Sequence, residues 1–409
     1  MSLDRSRCLE LDASDPLAAM RDRFVLPEGV VYLDGNSLGA LPVGVAERLQ
    51  RTIRDEWGIM LIRSWNEADW ASLPRRVGDR VAKLIGAPPG CVVVCESTSI
   101  NLYKATMGAA ALRPERGHIL TDSGNFPTDM YVMRGVAAHH GLDLVVVEPG
   151  AVESAIGEDT AVVALTQVDY RTGRRHDMHR LTRLAHDAGA IAVWDLAHSA
   201  GAFPVALGDC DVDLAVGCGY KYLNGGPGAP AFVYVAPRLL PRMSNPITGW
   251  FGHARPFDFS LEFDPAPGID RLRVGTPHVL SLAAFDEALD AFEDVDLVEL
   301  RRKSERLTGL FIELVANRLG AQFELITPID PAHRGSQVSL RHDHAYPVIQ
   351  ALIDRGVIGD FRAPDVARFG FAPLYTRFVD VWDAVATMAD VMSTAAWKRP
   401  EFHVRKAVT

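Results

Sequence analysis

Long apolar runs, basic clusters and paired cysteines are all missing from this sequence of 409 residues. No run reaches the roughly 18 apolar residues needed to cross a bilayer, and the start, M-S-L-D-R-S-R-C, lacks the apolar core of a secretion signal. Lysine and arginine form no long cluster, and the formal net charge of −10 argues against a nucleic-acid surface. We therefore expect a cytoplasmic protein that binds neither membrane nor nucleic acid.

The five cysteines show no C-x-x-C spacing and fall mostly in apolar segments, so neither disulfide bridges nor a metal site is predicted. Internal repeats and low-complexity linkers are also missing, as is the G-x-G-x-x-G turn that a dinucleotide-binding oxidoreductase needs after its first strand. The 48% of hydrophobic residues can bury one large core and a second, smaller one. The sequence therefore indicates a globular protein of enzyme size.

Short β-rich runs alternate with helical stretches between about residues 90 and 235. The runs begin near Val92, His118, Leu144, Ala161, Ala190, Asp213 and Ala231. Because they are apolar on both faces, they predict an α/β fold with a mostly parallel, seven-stranded sheet between helices. Helical patterns over 279–320 and 376–397 predict a smaller α+β domain. We place the N-terminal segment of that small domain at 1–55, the large α/β domain at 56–276 and the rest of the small domain at 277–409.

Two residues carry the first functional hypothesis. Lys221 lies in the turn G-Y-K-Y-L-N-G-G-P-G, and Asp195 ends the run A-I-A-V-W-D. A lysine in such a turn can form a Schiff base with an aldehyde cofactor, and a carboxylate at the end of a buried strand can keep a pyridine nitrogen protonated. Taken alone, Lys221 is more simply explained as a surface lysine, and Asp195 as a residue that caps a helix. Together they predict a site for pyridoxal 5′-phosphate (PLP), with Lys221 also serving as a general base.

Residues after other predicted strands can complete such a site, since ligands of open α/β sheets bind beyond the carboxyl ends of the strands. Thr98 and Ser99 begin an apolar helix, where hydroxyl and N–H groups either bind a phosphate or simply cap the helix. Phe126 either stacks on the pyridine ring or packs in the core, and Asp129 lies at the same rim.

Three further polar residues have both a functional and a structural interpretation. Thr166 ends the fourth predicted strand, where it can reach the ring oxygen of the cofactor. His198 follows Asp195 by three residues and can contact the ring or the phosphate, although a single histidine here is more often structural. Tyr220 offers a phenol that can bind phosphate or donate a proton, and that otherwise serves in packing.

Longer motifs occur along nearly the whole chain. They are Y-L-D-G-N-S-L-G (32–39), W-G-I-M-L-I-R-S-W (57–65), F-P-T-D (126–129), D-L-A-H (195–198), Y-K-Y-L-N-G-G-P-G (220–228), G-W-F-G-H (249–253), V-G-T-P (274–277) and R-F-G-F-A-P-L-Y (368–375). In this order the chain resembles the kynureninase family, whose members are fold-type I PLP enzymes of tryptophan catabolism. The G-N-S-L-G and Y-K-Y-L-N-G-G-P-G elements are far more selective than a lone lysine motif.

The resemblance implies roles for the residues of these motifs. Lys221 is implied to hold PLP, Asp195 to pair with the ring nitrogen, and Phe126 to lie against the ring. The other cofactor-lining residues that the resemblance implies are Thr98, Ser99, Asp129, Thr166, His198 and Tyr220. Trp250 and Thr276 match positions that reach the phosphate from the neighbouring subunit, so we expect a homodimer with shared active sites.

The resemblance also implies a substrate and a reaction. Arg368 matches the arginine that binds the substrate α-carboxylate, with Asn36 and Ser37 beside it. The implied reaction is hydrolytic Cβ–Cγ cleavage of L-kynurenine to anthranilate and L-alanine, in which Tyr220 moves a proton in the later steps. Thr276 stands where vertebrate-type members carry asparagine, which indicates that 3-hydroxykynurenine is the poorer substrate.

Two other interpretations stay open at this point. A cysteine desulfurase or related β-lyase of the same fold should carry a histidine immediately before the lysine and a mobile catalytic cysteine, whereas Tyr220 precedes Lys221 here. An inactive protein of the same fold is the second alternative. The retention of Lys221, Asp195 and Arg368 together argues against it.

Overall fold

A seven-stranded sheet forms the centre of the computed structural model, which describes residues 4–406. In chain order the strands are β1 (Phe24–Val25), β2 (Val31–Tyr32), β3 (Leu41–Pro42), β4 (Val92–Val94), β5 (His118–Asp122), β6 (Asp143–Val147), β7 (Thr160–Thr166), β8 (Ile191–Asp195), β9 (Leu214–Gly217), β10 (Phe232–Val235), β11 (Glu324–Leu325), β12 (Gln337–Arg341), β13 (Val357–Ile358), β14 (Asp360–Arg362) and β15 (Val366–Gly370). Residues 1–3 and 407–409 lie outside the described residues. The first three belong to the start of the sequence, in which no apolar core of a secretion signal is predicted.

The central sheet has the order β4-β10-β9-β8-β7-β5-β6. Strand β10 is antiparallel to both of its neighbours, and the other pairs are parallel. Each strand begins within one residue of its predicted start. The predicted α/β fold with a mostly parallel, seven-stranded sheet is therefore confirmed.

Helices cover the sheet and build the rest of the chain. They are α1 (Arg5–Ala13), α2 (Val45–Arg51), α3 (Ser64–Glu67), α4 (Leu73–Leu84), α5 (Thr98–Ala111), α6 (Pro127–His140), α7 (Val152–Ala155), α8 (Met178–Asp187), α9 (Val279–Ala288), α10 (Leu297–Leu319), α11 (Ala345–Asp354) and α12 (Phe378–Ser393), with a π-helical turn over Thr52–Met60. Among residues 4–406, no helix has the length and apolar character that a bilayer span requires.

The apolar character of both strand faces explains why helices lie on either side of the sheet. In β4, Val92 and Val94 belong to one core cluster, whereas Val93 between them belongs to another. All three are completely buried. Since successive strand side chains point to opposite faces, the continuous V-V-V run serves two cores at once.

The helical pattern predicted over 279–320 is divided in the structure. Helix α9 ends at Ala288 and passes into a 3-10 turn, and α10 begins only at Leu297. The Asp296 side chain accepts hydrogen bonds from the N–H groups of Val298 and Glu299, which caps the new helix. A capping aspartate therefore interrupts a pattern whose apolar residues alone indicate one long helical stretch.

A second, four-stranded antiparallel sheet has the order β11-β12-β15-β14. Phe311 of α10 packs against Phe369 and Phe371, with ring centroids 4.9 and 5.3 Å apart. Asp34, after β2, forms a bridge with Gly370 at the end of β15. The N-terminal segment thus joins this smaller sheet, while the predicted domain boundaries stay a prediction.

Candidate active site

The predicted lysine and aspartate lie at the carboxyl ends of neighbouring parallel strands. Asp195 ends β8 and is paired in register with Thr166, the last residue of β7. On the other side of β8, Asp195 is paired with Val216 of β9, and the turn after β9 carries Lys221. Parallel strands bring their carboxyl ends to one edge of the sheet, which explains why residues far apart in sequence converge here.

The Lys221 amine is partly buried and lies 3.1 Å from Nε2 of His198. Burial lowers the pKa of Lys221, and the positive charges of Arg368 and Arg362 lower it further, against the opposing effect of Asp195. Burial and the Lys221 charge hold the pKa of His198 well below its ordinary value, so this imidazole is neutral near pH 7. The amine therefore has a neutral hydrogen-bond partner and an increased fraction of its nucleophilic, uncharged form.

The two most selective motifs meet at this lysine. The N–H of Gly39, which ends G-N-S-L-G, donates to the carbonyl of Tyr220 at 2.8 Å. A Cβ atom at position 39 would collide with the carbonyl oxygen of Lys221 and with Asn224. Glycine at position 39 thus allows the N-terminal segment to lie directly against the lysine turn.

Asp195 and Asp129 form a buried carboxyl pair, with 6% and 4% of their surfaces exposed. Their side chains are hydrogen-bonded to each other, and Asp195 Oδ1 also accepts from the N–H of Ala197 at 2.8 Å. Burial raises the pKa of both carboxyls, and the neighbouring Asp195 charge raises the pKa of Asp129 further, well above its ordinary value. Oδ2 of Asp129 is buried without a hydrogen-bond partner among the described residues.

The start of α5 offers a site for an anion. Ser97 is the N-cap residue, and its side chain accepts from the N–H of Ile100. Thr98 and Ser99 therefore belong to the first helical turn, where N–H groups have no partner inside the helix. The capping role that the sequence offered to Thr98 and Ser99 is filled by Ser97 instead, and no hydrogen bond from either hydroxyl is found among residues 4–406.

The remaining predicted cofactor residues differ in their solvent exposure. Phe126 has 42% of its surface exposed and meets Tyr170 edge-on at 5.1 Å, which is not the packing of a core residue. Thr166 is buried, and its hydroxyl donates to the carbonyl of Val168 at 3.2 Å. Tyr220 is partly buried with its ring 5.9 Å from Lys221 Nζ, and burial raises the pKa of its phenol.

These groups fit PLP in three respects. The Lys221 charge acts on both carboxyls of the buried pair, and among the described residues Asp129 keeps an unpartnered oxygen that is available to a further cation. A lysine with a lowered pKa suits an aldehyde, and the first turn of α5 suits a phosphate. Within residues 4–406, no group of histidine, cysteine and carboxylate side chains could hold a metal ion.

The predicted substrate residues meet at the edge of the smaller sheet. Arg368 has 1% of its side chain exposed and binds Asp360 in bidentate fashion, with Nε 2.7 Å from Oδ1. Its Nη2 donates to Ser37 Oγ at 2.9 Å and its Nη1 to the carbonyl of Tyr170 at 2.6 Å. Asn36 is completely buried, and with its amide oriented to satisfy its neighbours it accepts from Arg368 Nε at 3.0 Å.

Trp250 and Thr276, two further predicted cofactor residues, lie on exposed parts of the chain. Trp250 has 41% of its surface exposed and contacts Phe251 and Phe257, and Thr276 is exposed. None of the contacts found within residues 4–406 joins either of them to Lys221.

Sequence reasoning missed two charged residues of this site, Asp360 and Arg362. Both lie on β14, a three-residue edge strand, D-F-R, that is too short to be recognised by its pattern. Their charge alternation was a signal, since Asp360 and Arg362 are two residues apart and share a face. The importance of that face depends on the strand register, which places Asp360 opposite Arg368.

Comparison with known proteins supports one family. The sequence profile of the kynureninase C-terminal domain matches residues 300–388. Kynureninase from Pseudomonas fluorescens is 52% identical to this chain over 413 residues, with 99% of each chain covered. Kynureninase from Burkholderia pseudomallei is 50% identical over 415 residues, again with 99% of each chain covered.

Solved structures share the fold at lower identity. A cysteine desulfurase from Escherichia coli superposes with a TM-score of 0.79 and 22% identity, over 92% of this chain and 98% of that chain. A mutant of C-DES with glycine covalently linked to its PLP cofactor gives a TM-score of 0.77 and 16% identity, over 95% of this chain and all of the other. At these identities the likeness extends to the fold alone.

Proposed function

The chain belongs to the kynureninase family, and on that premise we infer that it is a PLP-dependent hydrolase that cleaves the Cβ–Cγ bond of L-kynurenine to anthranilate and L-alanine. The family resemblance of the sequence motifs is confirmed. The substrate is a small molecule, and the reaction belongs to tryptophan catabolism. The cytoplasmic location and the lower activity on 3-hydroxykynurenine stay predictions.

The observation that carries the function is the environment of Lys221. We propose that its amine holds the cofactor covalently and, once freed by the substrate amine, removes the proton from the substrate α-carbon. The 3.1 Å contact with His198 keeps the amine in place, and burial supplies the lowered pKa that a general base needs. When bound, PLP supplies an electron sink for the negative charge that develops at the α-carbon.

Asp195 and Asp129 together would keep the pyridine nitrogen protonated. Asp195 accepts hydrogen bonds from the Ala197 N–H and from Asp129, and both favour its charged form. Asp129, with its strongly raised pKa, stays protonated and donates to Asp195. The pair therefore presents one negative charge, which matches one pyridinium cation.

The other predicted cofactor residues surround the ring and the phosphate. Thr98 and Ser99 would bind the phosphate at the start of α5, and the exposed ring of Phe126 would lie against the pyridine ring. Thr166 would hold the ring oxygen, since it ends the strand directly beside Asp195. Tyr220 is the proposed proton donor for the later steps, because its phenol ring lies 5.9 Å from Lys221 Nζ.

Arg368 is the proposed residue for the substrate α-carboxylate, with Asn36 and Ser37 beside it. The bidentate pair with Asp360 and the bonds to Ser37 and the Tyr170 carbonyl fix the guanidinium in one orientation. A rigid cation at this position would orient the α-carbon toward Lys221, whose pKa already responds to the Arg368 charge.

The proposed functional unit is a homodimer with shared active sites. Large apolar side chains are exposed on the single chain: Ile62 at 76%, Phe259 at 75% and Leu261 at 102%. The last two lie in the segment that follows Trp250. A second copy of the chain would cover these groups and would bring Trp250 and Thr276 to the neighbouring phosphate.

The dimer can be tested by complementation between two inactive variants. The first variant, Lys221→Ala, lacks the residue that holds PLP. The second combines Trp250→Ala with Thr276→Ala and lacks the side chains proposed to reach the phosphate of the neighbouring subunit. Co-expression should restore about one quarter of wild-type activity, because half of the dimers are mixed and each mixed dimer has one intact site. A protein that is monomeric and fully active at assay concentrations would contradict the proposal.

The reaction itself is tested by incubating the holoenzyme with L-kynurenine. We expect the fluorescence of anthranilate together with an equimolar amount of L-alanine, and no turnover by Lys221→Ala. Undiminished turnover by that variant would contradict the role of Lys221.

Cysteine desulfurase activity, the alternative within the same fold, is not favoured. Such an enzyme needs a reactive thiolate, and burial raises the pKa of every cysteine in the chain, namely Cys8, Cys91, Cys95, Cys210 and Cys218. We therefore expect no release of sulfide from L-cysteine under conditions that yield anthranilate from L-kynurenine.

A further inference from the structure

Arg362 lies beside the predicted carboxylate-binding arginine on the neighbouring strand. In the antiparallel pair of β14 and β15, Asp360 is directly opposite Arg368. Arg362 follows Asp360 by two residues, so all three side chains are on the same face of the sheet. Asp360 binds both guanidinium groups, and Arg362 Nη2 is 2.6 Å from its Oδ2.

Arg368 has little capacity left for a ligand. Four of its five N–H groups are accounted for by Asp360, Ser37 and the carbonyl of Tyr170. With 1% of its side chain exposed, it has one uncommitted N–H to offer to a carboxylate. A carboxylate has about four lone-pair sites, so Arg368 alone leaves most of them without a partner.

Arg362 keeps two of its five N–H groups uncommitted, one more than Arg368. Its Nη1 donates to the carbonyl of Phe361 at 3.3 Å. Its side chain is 34% exposed, and its Nε is buried without a hydrogen-bond partner among the described residues. Its Nη2 also donates to Ser37 Oγ at 3.2 Å, so it shares a hydroxyl with Arg368. The positive charge of Arg362 lowers the pKa of both Lys221 and His198, which places it within electrostatic reach of the lysine.

The charge of the cluster favours an anionic ligand. Burial and the neighbouring Asp360 charge raise the pKa of Asp34 to about 8, so Asp34 is largely uncharged near neutral pH. Asp360 keeps its charge, because the two arginines lower its pKa. Two arginine cations thus face one carboxylate, which leaves one positive charge without a partner.

We propose that Arg362 donates to the substrate α-carboxylate alongside Arg368, so that two arginines bridged by Asp360 and Ser37 bind this group. Arg368 supplies the fixed, buried contact, and Arg362 supplies the second contact from the accessible edge of the cluster. The proposal rests on the proposed function, since it names a further substrate-binding residue of the same site.

The test compares ligands that have and lack the carboxylate. In Arg362→Gln holoenzyme, we expect KM for L-kynurenine and the dissociation constant for L-alanine to rise roughly 10- to 100-fold, the effect of losing a charged hydrogen bond. Inhibition by kynuramine, the analogue without the carboxylate, and kcat should change by no more than about 3-fold. Binding of L-alanine is followed through the absorbance of the bound cofactor, which requires no turnover.

Two control variants accompany this measurement. Arg355→Gln removes an arginine with the same side-chain exposure, 34%, which is paired with Asp390 away from the site, and should leave every constant unchanged. Arg362→Lys keeps the charge and should recover part of the lost affinity.

Either of two results would overturn the proposal: unchanged binding of L-alanine by Arg362→Gln, or an equal loss for L-alanine and kynuramine, which indicates a purely structural role through Ser37. If the wild-type enzyme binds L-alanine but yields no anthranilate, the proposed function fails while the role of Arg362 can still be measured.

Discussion

Two buried charged clusters in this protein are unbalanced in opposite directions. Within residues 4–406, no arginine forms an ion pair with Asp195 at the end of β8 or with Asp129 of α6, and burial raises both of their pKa values. The cluster on β14 and β15 has two arginines for the single charge of Asp360. Unpaired charge in a buried site is costly, and the ligands proposed for the two clusters carry the complementary charges: a pyridinium for the first and a carboxylate for the second.

The largest expected effect comes from removing the charge of the carboxyl pair. Asp195→Asn removes the carboxylate proposed to pair with the pyridine nitrogen, so we expect kcat to fall roughly 100-fold or more, as for other preorganised charge partners. The change is nearly isosteric, and L-kynurenine should still be bound. Steady-state kinetics at saturating PLP provide the measurement, and a variant with wild-type kcat would contradict the role of Asp195.

The corresponding change in the second cluster should affect both stability and binding. Arg368→Gln removes the bidentate partner of Asp360, and we expect the free energy of unfolding to fall by about 3 kcal/mol, as when one member of a buried ion pair is removed. KM for L-kynurenine should rise as well. Urea unfolding of the purified variant checks the first effect. A denaturation midpoint equal to that of the wild type would show that burying Asp360 without Arg368 does not destabilise the fold.

The stability of the cofactor-free protein should depend on pH. The pKa of Asp129 is raised in the folded state, so folding binds a proton there and stability is lost as pH rises from about 4, the ordinary carboxyl pKa, toward the raised value. We expect Asp129→Asn to remove this loss, and PLP to reduce it in the wild type by supplying a cation. The test is to measure the urea denaturation midpoint between pH 5 and 8. If the midpoint changes equally with pH in the wild type and in Asp129→Asn, the prediction is contradicted.

The smallest expected effect sharpens the contrast within the second cluster. Arg362 is partly exposed, so Arg362→Gln should lower the free energy of unfolding by less than about 1 kcal/mol. The same variant is expected to weaken carboxylate binding strongly. A loss of stability as large as that of Arg368→Gln would instead indicate that Arg362 is mainly structural.

The central sheet, and the position of Lys221 and Asp195 at one edge of it, could be predicted from the sequence, because each depends on local patterns. The V-V-V run of β4 is apolar on both faces, Asp195 ends one predicted strand, and Lys221 lies in the turn after another. The alternatives for Phe126 could not be decided from the sequence, since the sequence pattern around an aromatic residue after a strand is the same whether its ring is exposed or buried.

The substrate side could be predicted only in part. Arg368 was found through a family motif, whereas its partner Asp360 lies on a three-residue strand whose pairing depends on the fold of the smaller sheet. The capping of α5 by Ser97 rather than Thr98 likewise depends on backbone geometry at one residue. Trp250 and Thr276 are proposed to act at the site of a second subunit, and no pattern within one chain reveals such a contact.

The most direct test of the account is to locate the covalently bound cofactor. Borohydride reduction of the holoenzyme, followed by proteolysis and mass spectrometry, should place the pyridoxyl label on Lys221 alone, and Lys221→Ala should carry none. Label on another lysine, such as the completely buried Lys104 of α5, or no label on the active wild-type enzyme, would contradict the account.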